Sequence, residues 1–173
     1  MLTLDSKFFI QNSKCGYTLI EILVAITIVG LLFGVGYVNF RDFSRREAIA
    51  GAGKLLQGDL RLSQQMALSG QKPQDVSCNT PNLLNGYDFH IVSASEYTIK
   101  ANCSGGVVTT VAKDVILPSD ITFSPIPSPN PVMFKVLGQG TNIPSGSTVT
   151  VALIQSQTSN TYSIKIGSGG DIQ

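Results

Sequence analysis

The stretch KCGYTLIEILVAITIVGLLFGVGYVNF, residues 14–40, decides how this chain is organised. Residues 22–38 form an apolar run, and residues 17–20 extend it on the other side of a single charge, Glu21. As a helix, this stretch would be roughly 30 Å long, about the thickness of the hydrocarbon core of a bilayer. The composition therefore predicts one membrane-spanning helix with a carboxylate near its start.

Two ordinary interpretations account for only part of this stretch. A secretory signal peptide is cut after its apolar segment at small residues, and the following GVGYVNFRDF lacks such a site. A plain single-pass anchor explains the hydrophobicity and leaves Glu21 unexplained. A charge at the centre of a membrane helix costs about 2.5–3.5 kcal/mol, and even near the helix end it calls for a partner.

A third interpretation comes from the register of Gly16, Glu21 and the apolar run, which resembles the N-terminus of type IV prepilins and type II secretion pseudopilins. The resemblance implies that a prepilin peptidase in the membrane cuts a basic leader after Gly16 and that the new N-terminus, Tyr17, is methylated. Glu21 then becomes the fifth residue of the mature chain. Tyr stands where Phe or Met is commoner, and no proline lies near Val38. Both departures favour a minor subunit.

The resemblance also implies a role for Glu21 in assembly. In a filament, the N-terminal amine of a neighbouring subunit would approach this carboxylate in apolar surroundings, where opposite charges attract more strongly. Because desolvation offsets part of that gain, we expect Glu21 to set the axial register rather than to hold subunits together. Gly30 and Gly34 form a G-x-x-x-G step that allows close helix packing, although glycine is also frequent in membrane helices without this role.

The three cysteines leave one unpaired if a single disulfide forms. Cys15 lies upstream of the apolar run, in the segment that the resemblance assigns to the leader, so Cys78 and Cys103 remain as a pair. Two free thiols in a cytosolic domain are the alternative. Because a membrane segment precedes them and disulfides persist in oxidising compartments, we predict a Cys78–Cys103 bridge and a C-terminal part outside the cytoplasm.

The helical pattern continues through residues 40–68. Apolar residues recur every three or four positions at Ile49, Ala52, Leu56 and Leu60, and Leu55, Leu62 and Met66 widen this face. The sequence SGQKP at 69–73 predicts the end of the helix. We therefore expect one long helix from Tyr17 to about Ser69.

After Pro81 the sequence changes to short segments rich in Val, Ile, Thr, Tyr and Phe, separated by turn residues. Seven strands are predicted, at 87–92, 96–101, 106–112, 120–126, 132–138, 147–155 and 161–167. The predicted fold class is α+β, with a long N-terminal helix packed on a C-terminal antiparallel β-sheet domain.

A second family signal covers the end of the helix and the closing strands. The segment LLQGDLRLSQQMALSGQKPQDVSC resembles the end of the long helix in H-type minor pseudopilins and FimT-like minor pilins, where a glycine-bearing turn precedes a strand with a cysteine. The C-terminal segments, ending in YSIKIGSGGDI, are similar to the closing strands of that domain.

These features predict four consecutive regions. Residues 1–16 are the leader, 17–40 the transmembrane and filament-core helix, 41–72 its amphipathic second half, and 73–173 an extracytoplasmic β-rich domain. The resemblance implies a structural subunit of a type IV pilus or a type II secretion pseudopilus, held as a single-pass protein in the cytoplasmic (inner) membrane. Its expected partners are other subunits, the prepilin peptidase and methyltransferase, and the membrane.

No arrangement of residues predicts an enzyme, a cofactor or a metal site. The single histidine, His90, is on a predicted strand without a cluster of ligands at metal-binding spacing, so a structural role is expected. Asp88 could bond to it, but a dyad without a nucleophile is not an active site.

Two other functions remain as alternatives. A DNA-binding minor pilin would need clustered Lys or Arg, but from residue 79 onward the chain has four lysines, five acidic residues and no arginine. Nucleic acid is therefore not expected as a partner, unless folding collects the lysines on one face. The other alternative is an ordinary single-pass membrane protein with an extracytoplasmic β domain.

Overall fold

The computed structural model describes residues 16–173, and for residues 35–39 and 107–110 it describes the backbone alone. The predicted leader, with Cys15, lies outside the described residues except for Gly16. The chain divides into two compact units, of which the first ends at Arg41 and the second comprises Asp42–Gln173.

One helix, α1, extends over Leu19–Ser69, as the sequence predicted. It ends in a Schellman turn, in which Gly70 N–H donates to Ala67 C=O (3.2 Å) and Gln71 N–H donates to Met66 C=O (3.4 Å). Gly70 has φ +62°, a conformation that suits glycine. This turn explains why SGQKP ends the helix.

A membrane span was predicted for residues 17–40, and the structure does not confirm it. Within residues 16–173, no helix combines the length and the apolar character that crossing a membrane requires.

In the second unit, the predicted apolar face of α1 is buried. Ile49, Ala52, Leu56 and Leu60 are at most 7% exposed. Leu55 was predicted to widen this face but is half exposed, and the buried face continues instead through polar residues. Asp59 and Ser63 occupy it, and both are buried.

Seven strands follow the helix and form two antiparallel sheets. Their bounds are β1 Leu84–Ser93, β2 Glu96–Cys103, β3 Gly106–Ile116, β4 Ile121–Phe123, β5 Val132–Lys135, β6 Thr148–Gln155 and β7 Thr161–Gly167. Sheet 1 has the order β3-β2-β1-β5, and sheet 2 has the order β4-β6-β7. Short 3₁₀ turns at Val76–Cys78 and Val136–Gly138 connect the elements. The α+β prediction is confirmed, and each predicted strand corresponds to an observed one.

Two strands are much shorter than predicted. Strand β4 ends at Phe123, before a segment that has proline at every second position from 125 to 131 and so lacks ladder donors. Strand β5 ends at Lys135, because Leu137 and Gly138 both adopt positive φ and turn the chain. The proline segment connects β4 to β5.

A single hydrophobic core joins the second half of α1 to both sheets. At its centre the ring of Tyr97 lies 5.1 Å from that of Phe89 and 5.9 Å from that of Phe123, measured between centroids. These contacts link β1 and β2 of sheet 1 to β4 of sheet 2. The core therefore fixes the β-rich domain on the C-terminal half of the helix.

Candidate processing and assembly site

The residues around the predicted cleavage bond lie at the start of α1. Gly16, Tyr17 and Thr18 precede the helix, and Tyr17 is 78% exposed. Thr18 caps the helix, because its Oγ1 accepts a hydrogen bond from Glu21 N–H at 3.3 Å and its carbonyl accepts from Glu21 N–H and Ile22 N–H. The bond between Gly16 and Tyr17 thus precedes the first helical position, Leu19, and both of its residues are exposed.

The predicted assembly residue, Glu21, occupies the third helical position after the Thr18 cap. This T-x-x-E spacing is that of a capping box, a signal present in the sequence but not used in the prediction. A carboxylate in the first turn also interacts favourably with the helix dipole. Glu21 is exposed and makes no ion pair with any described residue. Helix capping is therefore one reason for a glutamate here, and its carboxylate remains available to an outside group.

The predicted packing residues, Gly30 and Gly34, lie on open helix surface. No atom outside the local backbone comes within 4 Å of where a Cβ would stand at either glycine. Earlier in the same unit, a shallow apolar groove of about 300 Å³ is lined by Leu19, Ile22, Leu23, Ile26 and Thr27. The helix surface around the predicted sites is thus uncovered in the single chain.

Comparison with known families adds a specific identification at this position. Residues 11–37 match the family model described as the prokaryotic N-terminal methylation motif, which is typical of type IV prepilins and pseudopilins. The N-terminal segment of this chain therefore carries the motif of a type IV pilin-like precursor. The match covers the predicted cleavage bond, Glu21 and both glycines of the packing step. No curated protein and no solved structure matches the chain.

Outside this prepilin-type segment, the predicted disulfide is present. Cys78 ends the first 3₁₀ turn and Cys103 ends β2, and they are bonded with their Cα atoms 5.3 Å apart. Asp75 caps the turn by accepting a hydrogen bond from Ser77 N–H at 2.9 Å. The bridge ties the connection after α1 to the end of β2 in sheet 1, and it confirms the pairing predicted from the sequence.

A polar triad joins the helix to sheet 1, and the sequence prediction missed it. The Tyr97 hydroxyl donates to Oδ2 of Asp59 at 2.7 Å, and Lys113 Nζ lies 2.5 Å from Oδ1 of the same carboxylate. Asp59 is 5% exposed and Tyr97 is fully buried. Burial first, and then the hydrogen bond and charge of Asp59, raise the pKa of the Tyr97 hydroxyl well above its ordinary value. The hydroxyl therefore stays protonated and remains a donor.

The His90 and Asp88 side chains do not form the hydrogen bond considered from the sequence. Asp88 instead accepts from Asn102 Nδ2 at its Oδ2 (2.9 Å), while its buried Oδ1 has no partner in the described structure. Burial raises the pKa of Asp88, and Asn102 and His90 partly offset this. Nowhere in residues 16–173 do three or more His, Cys, Asp or Glu side chains gather in a way that could hold a metal.

The four lysines of the C-terminal domain are divided between the two sheets. Lys100 and Lys135 lie on strands flanking β1, whereas Lys165 is on β7 of sheet 2. The ammonium group of Lys113 is paired with Asp59. The four charges therefore lie on strands of both sheets, and the charge of Lys113 is paired within the domain.

Proposed function

We propose that this protein is a minor subunit of a type IV pilus or of a type II secretion pseudopilus. The observation that carries the proposal is the methylation motif, which lies on the exposed half of a helix whose other half holds a β-rich domain. In this role the chain contributes structure: the helix enters the filament and the β-rich domain forms its outer part.

The exposed start of the helix supports an assembly role. From Tyr17 to Phe33, twelve large apolar or aromatic side chains are between 48% and 84% exposed. Fully burying one such side chain contributes about 1.5–3 kcal/mol, so covering this surface is strongly favourable. Lipid would cover it before assembly, anchoring the subunit at the inner membrane, and neighbouring subunits would cover it in the filament.

The disulfide supports the proposed location of the C-terminal domain. Cys78–Cys103 needs an oxidising environment to form and persist. We place the β-rich domain outside the cytoplasm and the leader inside, where the prepilin peptidase and methyltransferase would process Gly16 and Tyr17. Other pilin or pseudopilin subunits are the proposed partners, and a cytoplasmic ATPase would supply the work of assembly.

The test is to express the chain with a prepilin peptidase and to measure the intact mass and N-terminal sequence without reductant. The expected product starts at N-methylated Tyr17 and retains the Cys78–Cys103 bridge. A Gly16→Val variant is the matched control and should remain uncut. A wild-type chain that still starts at Met1 beside an active peptidase and a cleaved reference prepilin contradicts the proposal.

A further inference from the structure

A groove in the second compact unit lies between α1 and the end of β3. Its volume is about 500 Å³, and its lining residues are mainly apolar: Glu47, Ala48, Gly51, Ala52, Leu55, Val115, Ile116, Leu117 and Pro118. Val115 and Ile116 are consecutive strand residues, so their side chains point to opposite faces of sheet 1. Because both line the groove, the groove lies along the outer edge of β3.

The two sheets have four edges, and three of them are short or covered by the chain itself. The C-terminal residues cover β7, where Lys165 and Gln173 exchange two backbone hydrogen bonds of 2.9 Å. Beside β5, Lys135 N–H donates to Gly140 C=O at 2.9 Å. Strand β4 has three residues and is followed by the proline segment. The edge of β3 differs, because its eleven residues have β2 as their only neighbour among the described strands.

The last four residues of β3 form the regular part of this edge. Residues 113–116 pair in unbroken register with residues 96–99 of β2, and a register shift between Val111 and Lys113 ends this stretch. On the other side of the strand, the backbone of residues 113–116 makes no hydrogen bond to any described residue. Such a row of N–H and C=O groups is a template for a strand of another chain, here a short one.

Two large apolar side chains of the groove are open to solvent. Leu55 is 50% exposed and Ile116 is 76% exposed. Gly51 adds open space on the helix side, since no atom outside the local backbone comes within 4 Å of where its Cβ would stand. A strand paired with β3 would direct alternate side chains towards the helix, and apolar ones would cover Leu55.

The unpaired charges at this edge are acidic. Glu47 is the charged member of the lining residues, and it is exposed without an ion pair to any described residue. On the strand itself, Asp114 is also exposed and makes no ion pair in the described part of the chain. The ammonium group of Lys113 is already paired with Asp59. Charge complementarity therefore favours a basic partner.

We propose that the edge of β3 binds an extended, basic segment of another protein chain as an added strand. The backbone of the segment would pair with residues 113–116, and its alternate apolar side chains would enter the groove beside Leu55. Its Lys or Arg side chains would approach Glu47 and Asp114. In strand addition, main-chain hydrogen bonds give affinity and pockets for alternate side chains give specificity. A helical partner fits less well, because its backbone groups are already bonded within the helix.

The binding test uses the full chain in detergent micelles, so it does not depend on processing or assembly. The probe is the synthetic peptide Lys-Val-Thr-Val-Thr-Val-Lys, which is basic and alternates apolar and polar residues. Fluorescence anisotropy of the labelled peptide gives the Kd, and NMR of the protein backbone amides locates the site. We expect saturable binding, with shifts at residues 113–116 and at the helix residues that line the groove.

Two control peptides separate backbone pairing from charge. The same peptide with methylated backbone nitrogens keeps its side chains but loses its donors, and it should bind at least ~tenfold more weakly. A peptide with glutamate in place of both lysines should also bind more weakly, because Glu47 and Asp114 repel it.

Leu55 and Leu68 provide a matched pair of protein variants. Both lie on α1 and are about half exposed, at 50% and 48%, but Leu55 lines the groove and Leu68 does not. Leu55→Ser should raise the Kd at least ~threefold, since less apolar surface is covered on binding. Leu68→Ser should leave the Kd unchanged, and circular dichroism checks that each variant is folded.

Several outcomes overturn the proposal. These are absence of saturable binding, equal binding of the methylated peptide, equal or tighter binding of the glutamate peptide, and equal effects of Leu55→Ser and Leu68→Ser. A dimer that forms without peptide and that Leu55→Ser dissociates, measured by sedimentation in detergent, also overturns it. That result would assign the groove to a second copy of the chain.

Discussion

The hydroxyl of Tyr97, on β2, donates a 2.7 Å hydrogen bond to the carboxylate of Asp59, on the helix. Lys113 of β3 contacts the other oxygen of that carboxylate, so one buried acid connects the helix to two strands. A buried carboxylate is tolerated where its oxygens are paired, and the loss of one partner leaves charge uncompensated. The long helix is thus fixed against sheet 1 by polar contacts as well as by apolar packing.

Removing the Tyr97 hydroxyl tests this connection. We expect Tyr97→Phe to lower the free energy of unfolding by about 1–3 kcal/mol, because Asp59 Oδ2 loses its hydrogen bond in a buried site. Tyr162→Phe is the control, since no described residue bonds to that hydroxyl, and it should change stability much less. Urea unfolding of the full chain in detergent, followed by circular dichroism, gives both values. Equal effects of the two substitutions would show that the hydroxyl of Tyr97 contributes nothing specific.

The pH dependence of stability tests the environment of Asp88. Burial raises the pKa of Asp88 above 3.8, so the folded state binds the proton more tightly than the unfolded state. Stability is then lost as pH rises from 3.8 through the folded-state pKa, and above that pKa the loss is complete. Asp88→Asn, whose amide oxygen still accepts from Asn102, should be more stable than wild type at pH 7.

The advantage of Asp88→Asn should shrink as pH falls towards 3.8. Unfolding curves from pH 3.5 to pH 8 give the difference in free energy of unfolding between the variant and the wild type at each pH. The contributions of the other titrating groups are common to both proteins and cancel to first order. Asp114→Asn, at an exposed position on β3, is the control substitution and is measured over the same range. A variant at position 88 that is less stable than wild type at every pH would exclude a burial penalty.

Two glycines of α1 provide a matched pair of substitutions. A Cβ at Gly53 would overlap the ring of Tyr162, whereas a Cβ at Gly58 would meet no atom within 4 Å. Gly53→Ala should therefore destabilise the protein by about 1–3 kcal/mol through overpacking. Gly58→Ala should stabilise it by up to about 1 kcal/mol through helix propensity. Thermal unfolding monitored at the helical signal distinguishes them, and a stabilising Gly53→Ala would mean that Tyr162 does not pack on this glycine.

Much of the fold was predictable because its signals are local. The period of Ile49, Ala52, Leu56 and Leu60 predicts the buried helix face, and β-branched segments between turn residues predict the strands. The Asp59 triad was not predictable in this way, since its partners are 38 and 54 residues away in the sequence. The spacing places Asp59 on the apolar face, but a charged side chain ordinarily favours solvent, so the local pattern did not indicate its buried partners. The Thr18 cap had a local signal in T-x-x-E, but the resemblance offered another reason for the glutamate.

The Cys78–Cys103 bridge gives a prediction for the stability of the folded chain. The bonded residues are 25 positions apart, and closing a loop of this size stabilises the folded state by about 3 kcal/mol. Replacing both cysteines by serine should lower the free energy of unfolding by about that amount. Cys15→Ser is the control, since the predicted cut removes that residue. An unchanged unfolding curve for the double variant would show that the bridge does not stabilise the protein by restricting the conformations of the unfolded chain.

Glu21 can be tested for assembly without disturbing the helix start. Glutamine also fits the third position of a capping box, so Glu21→Gln keeps the local hydrogen-bonding pattern and removes only the charge. If the carboxylate pairs with the amine of a neighbouring subunit, its loss leaves that amine unpaired in apolar surroundings. We expect incorporation into filaments to fall at least ~tenfold, a change equivalent to about 1.4 kcal/mol.

The companion variant Thr18→Ala separates the two roles of this segment. It removes the Oγ1 acceptor of Glu21 N–H and should fray the helix start at a cost of about 1 kcal/mol, while the carboxylate remains. Both variants are expressed with the prepilin peptidase, and the processed fraction and the filament-bound fraction are measured separately. We expect normal processing of both and a much larger loss of incorporation for Glu21→Gln. A larger loss of filament incorporation for Thr18→Ala than for Glu21→Gln would assign Glu21 to helix capping. Incorporation would then depend on the geometry of the first turn and not on the charge of the carboxylate.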